Sequence, residues 1–482
     1  MRRANRLVAS VRRGAKIFLI ASLVAQAAAL VRYVILARML GPAELGLAAT
    51  LILTAQFFES LSDTGANRYV VQDARGHTSE VMGLVHMILA GRGILLAAAL
   101  ALTAGLVADL YKAPILAPGL IALGLTQVIL GFQNLEVRRV QRDGDFRPEA
   151  VMTIAGEVTS AIAIAAAAWI VRDHTAVIYG LTARALIMLI VSHVMAERRY
   201  AWAFGKADAV AFSRFASPLF LNGLLLFFGS QGDRILVGAS LGAEGLGYYS
   251  AIILLIYYPA AALSRFVASL HMPNVARTRD NPEKFARERE QLGGRAVLLS
   301  TAMLLGFCLA GPLFAPLLYG HAFAQPLPMF AALALLQAVR LARCWPTTLA
   351  LGTGDSFSVL AANVVRVVAL PAAIFAYKAW PSVYAIVGAF ILGELLSLAT
   401  ALIYQWRRRV VRARREFVRS FLFTLVGSVA VALSATLQER MWAWSAGVAV
   451  VLLGTLALHA WTERPTILHA WGLVRSRIFR RA

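Results

Sequence analysis

The stretch Leu40-Gly41-Pro42-Ala43-Glu44-Leu45-Gly46 recurs 201 residues later as Leu241-Gly242-Ala243-Glu244-Gly245-Leu246-Gly247. A second echo, Gly144-Asp145 against Gly354-Asp355, follows at an offset of 210. Each copy of the first motif leaves one long apolar run and enters another. Two echoes at nearly one offset, at equivalent points of the chain, read as an internal duplication. Six apolar segments separate the copies, an even number, so both insert in the same orientation. Repeats of that kind are related by an axis along the membrane normal, and binding sites tend to lie at their interface.

The composition demands a membrane. Of 482 residues, 59% are hydrophobic and only 15% charged, with a mean hydropathy of +0.69. Soluble domains run nearer 45–50% apolar and about 25% charged, so a soluble enzyme is excluded. A spanning helix needs about 20 mostly apolar residues. That window predicts about fourteen spans, at 15–37, 44–62, 81–108, 114–135, 150–171, 175–195, 216–240, 245–270, 292–315, 326–349, 358–377, 381–405, 418–437 and 441–461. The expected fold is therefore an all-α polytopic membrane protein with two pseudo-symmetric six-helix lobes. The first lobe takes residues 1–205 and the second 206–406; a basic linker, two further helices and a tail fill 407–482.

The charges orient it. Of the 47 Lys and Arg, 36 are assigned to one side, counting both termini and with Lys16, Arg295, Arg340, Arg343 and Arg419 among them, five to the other, and six to span interiors. This is the positive-inside pattern, so both termini are expected in the cytoplasm and the net charge of +22 reads as a coat for anionic lipid. Nucleic acid is not the expected partner, because the Arg-rich loop 407–419 joins two spans and lacks a recognition module. The basic start and Ala25-Gln26-Ala27 have the form of a secretory signal, but the apolar run continues to Ala37, so a retained span is expected.

A charge at mid-bilayer costs about 2.5–3.5 kcal/mol, so six arginines facing lipid would cost on the order of 15–20 kcal/mol. Arg32, Arg92, Arg184, Arg234, Arg265 and Arg366 must therefore face water, pair with acids or lie near an interface. Arg184 can pair with Glu157, and Arg366 has Asn363 one turn earlier. Gln56, Glu59, Ser60 and Asp63 share one helical face. The repeat superposes Arg32 on Asp233 and sets Asp63 beside Arg265. Opposite charges at equivalent depths suggest gates: Arg32 or Arg38 meeting Asp233 on the outer side, Asp63 meeting Arg265 on the inner. Pro259, Pro312, Pro346 and Pro371 permit kinks. No metal-ligand spacing, Gly-rich phosphate cradle or catalytic cluster is present, so neither a cofactor nor an enzyme activity is expected. Cys308 and Cys344 lie in apolar runs and suggest no disulfide framework.

Leu36-Ala37-Arg38-Met39-Leu40-Gly41-Pro42-Ala43-Glu44-Leu45-Gly46, followed by Ser62-Asp63-Thr64-Gly65, resembles the first helical hairpin of polysaccharide flippases. Gly232-Asp233-Arg234-Ile235-Leu236-Val237-Gly238, leading to Leu241–Ser250, resembles their seventh and eighth helices. These belong to the O-antigen-flippase-like polysaccharide transporters of the multidrug/oligosaccharidyl-lipid/polysaccharide exporter superfamily. The resemblance implies a bacterial inner-membrane protein that moves a polyprenyl-diphosphate-linked oligosaccharide between leaflets. Its lobes would form a V around a cavity walled by helices 1, 2, 7 and 8. On that model Arg32, Arg234, Arg265, Gln56 and Asn222 bind substrate, with Arg92 added by depth, and Asp63, Asp233, Glu59 and Arg38 act in gating. Guanidinium forks match phosphate oxygens; Gln26, Gln56, Asn222, Ser230 and Tyr258 would serve the sugar. A glycan polymerase and a chain-length regulator are the protein partners this implies. Two competing readings are a cation-coupled drug antiporter, which would favour acids in the cavity, and a membrane glycan polymerase or ligase, which would want a larger outer segment.

Overall fold

The computed structural model describes residues 2–61, 65–408, 410 and 427. Among the described residues the chain is all helical, with fourteen α-helices, one short 3₁₀ turn and no strand. Two helices are far longer than a bilayer requires. α1 (Arg2–Leu61) has 60 residues and α8 (Lys206–Thr278) has 73, lengths near 90 and 110 Å at 1.5 Å per residue. Each breaks at the second residue of the repeated motif: Gly41 has φ 79° and ψ 178°, Gly242 has φ 74° and ψ −172°. Only glycine enters that region without steric cost, and Pro42 after Gly41 suits the first turn of the new helix. The equivalent glycines of the two copies thus carry the same break, and each long helix holds two crossings.

α3 (Ser79–Leu110), α6 (Arg147–Val171), α7 (Ala176–Val194), α9 (Pro282–Tyr319) and α14 (Val383–Arg407) cross singly. α4 (Leu116–Gly131) and α5 (Glu136–Arg142) are bent by 52° to each other across a short break. α10 (Leu327–Ala342) yields to α11 (Cys344–Gly352), and α12 (Ser356–Val367) to α13 (Ala369–Ala379). The breaks, at Arg343 and Val368, fall three residues before Pro346 and Pro371, where the missing N–H and the ring loosen the preceding turn. α2 (Ala66–Gln72) is a connector. The predicted spans 418–437 and 441–461 lie outside the described residues, apart from Gly427.

The second echo is a helix-start device. Gly144 and Gly354 have φ of 86° and 79°. The aspartate after each turns its carboxylate to the helix it opens: Asp145 accepts from the Arg147 N–H at 2.9 Å, Asp355 from the Ser358 N–H at 3.1 Å.

The chain divides into two packed units, Met1–Ala251 and Ile252–Ala482, with α8 contributing to both. In the first, α3 lies against α4, α6 against α7 and α1 against α6. Gly93 and Gly131 let α3 and α4 approach closely, since a Cβ on either would fall 2.5–2.7 Å from a backbone oxygen of the other helix. His86 knits one end of this unit. Its Nδ1 lies 3.1 Å from the Ala201 carbonyl, its Nε2 accepts the Leu135 N–H at 3.0 Å, and its ring stacks on Tyr200. In the second unit α10 is the central post, every residue from Pro328 to Ala342 being buried except Arg340. A helix apolar on all sides belongs inside a bundle.

Candidate functional site

The two copies of the opening motif touch each other reciprocally. A Cβ on Gly46 would fall 1.7 Å from the Ala243 carbonyl oxygen, and a Cβ on Gly247 would fall 1.8 Å from that of Pro42. Gly46 and Gly247 are equivalent under the 201-residue offset, as are Pro42 and Ala243. This is the i-to-j, j-to-i arrangement of a two-fold contact, here made within one chain. Deeper along the same helices, Arg234 donates to the Tyr33 hydroxyl at 3.1 Å, a pair also separated by 201 residues. Equivalent positions of the two copies therefore meet on their own local axis.

The first unit holds three polar groups within its helices. Arg234, almost fully buried, also donates to Ser250 Oγ at 3.2 Å and to Gln231 Oε1 at 3.2 Å. Beside it Asp233, fully buried, accepts the Tyr249 hydroxyl at 2.9 Å. Arg32 forms an ion pair of 2.6 Å with Glu157, which also receives Arg184 at 2.8 Å. The expected Arg184–Glu157 pair is thus present. Arg32, expected to meet Asp233, instead meets Glu157, because the packing of α6 on α1 brings that carboxylate alongside. In the third group Gln127 donates to Glu59 Oε1 at 3.0 Å, and Arg92 donates to the Glu59 carbonyl at 3.3 Å.

The second unit holds a denser cluster. Glu394 in α14 receives Arg366 at 2.6 Å and Arg340 at 2.8 Å on Oε1, and Arg343 at 3.3 Å on Oε2. Arg343 also donates to Asn363 Oδ1 at 3.2 Å. The carboxylate is 1% exposed and the three guanidinium side chains 6–14%. The charge count had set Arg340 and Arg343 on the cytoplasmic side; they stand instead at the middle of the α10–α11 crossing, turned to Glu394. Glu394 is the lone acid in the apolar run Val383–Arg407, and an intramembrane acid is the sequence signal that points to it.

The repeat connects the two ion-pair clusters with reversed polarity. Glu157 lies 209 residues before Arg366, and Arg184 lies 210 before Glu394. The carboxylate sits on the first helix of the pair in one copy and on the second in the other.

The remaining candidates fall as follows. Arg38 and Arg265 are exposed and Gln56 is half-buried. Ser230, expected to face the sugar, turns its hydroxyl to the Leu226 carbonyl of its own helix at 2.7 Å. Asn222 lies in α8 with its side chain outside the described residues, as is Asp63 altogether. Tyr33, Tyr249, Ser250 and Gln127 were not anticipated; hydroxyl and amide groups are common in apolar helices, and only the packing singles these out.

A chain of apolar helices broken at equivalent glycines, carrying guanidinium clusters inside its spans, has the fold of the multidrug/oligosaccharidyl-lipid/polysaccharide superfamily of transporters. It resembles a lipid II flippase, MurJ, in an inward closed conformation, with a TM-score of 0.70 at 12% identity over 93% of this chain and 99% of that one. An inward-facing multidrug resistance MATE transporter of the superfamily matches with a TM-score of 0.56 at 14% identity, over 82% of this chain and 94% of that one. The chain belongs to the polysaccharide biosynthesis protein family, whose pattern matches residues 35–328. A curated relative, the lipopolysaccharide biosynthesis protein WzxC of Escherichia coli K12, is 22% identical over 334 residues, covering 68% of this chain and 67% of that one.

Proposed function

We propose that this protein flips a polyprenyl-diphosphate-linked oligosaccharide from the cytoplasmic to the periplasmic leaflet of a bacterial inner membrane, by alternating access, for surface polysaccharide biosynthesis. The carrying observation is the excess of cation within the spans. Within the predicted spans, past their first two residues, and among the described residues, Arg32, Arg92, Arg184, Arg234, Arg265, Arg295, Arg340, Arg343 and Arg366 stand against Glu59, Glu157, Asp233 and Glu394. An anionic headgroup offsets that excess, and a diphosphate matches the forked donors of guanidinium. A cation antiporter would want the opposite balance. Membership of the polysaccharide family and the likeness to a lipid II flippase support a lipid-linked saccharide as cargo.

In this reading Arg234, Arg92 and Arg265 hold the headgroup, with Gln56 and Asn222 on the sugar. Arg32 joins them when it leaves Glu157. The Gly46–Ala243 and Gly247–Pro42 contacts close the outer end, and Asp233, Glu59, Asp63 and Arg38 shape the passage. The lobes divide at residues 205–206, with 407–482 appended. Both termini lie in the cytoplasm, and a glycan polymerase and a chain-length regulator take up the product.

The test is leaflet translocation in proteoliposomes with a fluorescent polyprenyl-diphosphate disaccharide, read as loss of fluorescence to an impermeant quencher. Protein-dependent translocation that falls in Arg234→Ala is expected. Hydrolysis or sugar transfer without translocation would replace the proposal with an enzyme.

A further inference from the structure

The Met1–Ala251 unit contains a second feature suited to such a lipid, resting on the reading above. Between α1, α3 and α8 lies a cavity of about 340 Å³, walled by Leu53 and Phe57 of α1, Val107 and Tyr111 at the end of α3, and Phe228 and Ile235 of α8. It falls in the usual size range of small-molecule sites, about 300–1,000 Å³. Its two lining threonines have no proton left to donate to a ligand: Thr54 Oγ1 donates to the Thr50 carbonyl at 2.9 Å and Thr103 Oγ1 to that of Ala99 at 2.7 Å. Apart from Tyr111 the remaining lining is hydrocarbon, which does not hold water. Phe57 packs on Phe227 and Phe228 at 5.4 and 5.9 Å, joining α1 to α8 as a firm wall. Leu106 and Leu110 on the rim are 72% and 53% exposed, so the slot opens on an apolar surface.

We propose that this slot takes the first isoprene segments of a polyprenyl diphosphate. The chemistry along one wall selects the occupant. Ile235 follows Arg234 directly, and Tyr111, packed beside Gly238, lies within electrostatic reach of the same guanidinium. The Tyr111–Ile235 wall of the slot therefore lies near a buried cation. A polyprenyl chain begins at the atom next to its phosphate, whereas a glycerophospholipid interposes a polar glycerol diester between phosphate and hydrocarbon. An anion with its tail attached directly fits this juxtaposition.

The experiment is photolabelling of the full chain in proteoliposomes with a diazirine placed in the first isoprene units of a polyprenyl-diphosphate disaccharide. Diazirine-bearing phosphatidylglycerol is run in parallel, and adducts are mapped by peptide mass spectrometry. Polyprenyl label is expected on the segments around Val107 and Ile235, displaced by unlabelled polyprenyl diphosphate. Filling the slot with Thr103→Phe or Val107→Phe should lower it about tenfold, the scale of an overpacking penalty. Thr103→Val, of similar volume, and Leu102→Phe, on the 83%-exposed neighbour, should leave it unchanged. Equal labelling by phosphatidylglycerol, or polyprenyl label that ignores both filling variants, overturns the slot. Translocation of normal rate and tail-length dependence in Val107→Phe overturns the slot while leaving flipping intact. Absence of translocation by the unaltered protein overturns flipping, and the label map still decides the slot.

Discussion

The reciprocal glycine contact makes a quantitative prediction. A Cβ at Gly46 would stand 1.7 Å from the Ala243 oxygen and 2.5 Å from its carbonyl carbon, where ordinary contact begins near 3.4 Å. The opposing backbone must retreat by about 1.7 Å, and no rotamer change relieves a clash between backbone and Cβ. Overpacking of this kind costs about 1–3 kcal/mol or more. Charged to the closed state alone, 3 kcal/mol shifts a two-state equilibrium roughly 100-fold toward opening. The reporter is Val237→Cys, fully buried and six residues before Ala243, in a chain lacking Cys308 and Cys344 and exposed to an impermeant maleimide from the outer face. Gly46→Val should raise its labelling rate by one to two orders of magnitude. Gly105→Val, where a Cβ meets nothing within 4 Å, should not. Because one separation relieves both clashes, Gly46→Val with Gly247→Val should label little faster than the worse single variant, a clear failure of additivity. Labelling of a folded Gly46→Val protein at the unaltered rate, or strict additivity of the pair, would refute the gate.

Other outcomes follow from the ion clusters and the histidine knot. Glu394→Gln leaves three guanidinium groups around a neutral amide and should cost about 3–5 kcal/mol, the penalty of breaking a buried ionic group, read as a fall in Tm in detergent; Glu394→Asp should fall less. Glu157→Arg combined with Arg184→Glu reproduces the polarity of Arg366 and Glu394, and its Tm should exceed that of either single variant. A double variant no better than the worse single would show that the clusters are not equivalent. Arg234→Lys should translocate poorly while folding normally, since a lysine cannot serve Tyr33, Ser250 and Gln231 together in one plane. His86→Ala strips partners from the Leu135 N–H and the Ala201 carbonyl; a loss of about 1–3 kcal/mol per unsatisfied buried group is expected by chemical denaturation.

Some of the polar contacts within the spans are legible in the sequence and others are not. Arg184 and Glu157 could be paired on paper because each is the conspicuous charge of an apolar helix in a neighbouring pair. Arg32 could not be assigned in the same way. The repeat aligned it with Asp233, but alignment between copies reports equivalence, not contact, and the carboxylate it meets comes from a packing partner, α6. The charge count assigns Arg340 and Arg343 to the cytoplasmic side, although both fall inside the predicted span 326–349, because a tally by sides assumes that basic residues belong to loops. The bend at Arg343 and the depth of Glu394 remove that assumption.

Residue order alone determined the all-helical membrane fold, the duplication and the glycines at which α1 and α8 break. Hydrophobic length and left-handed backbone demand are local properties, legible wherever the residues stand together. Tertiary structure decided which copy touches which: the Gly46–Ala243 and Gly247–Pro42 crossing, the Tyr33–Arg234 bond across 201 residues, and the three guanidinium groups gathered on Glu394. Those depend on helix rotation and close approach, which periodicity leaves open because a charge can reach several neighbours from one helical face.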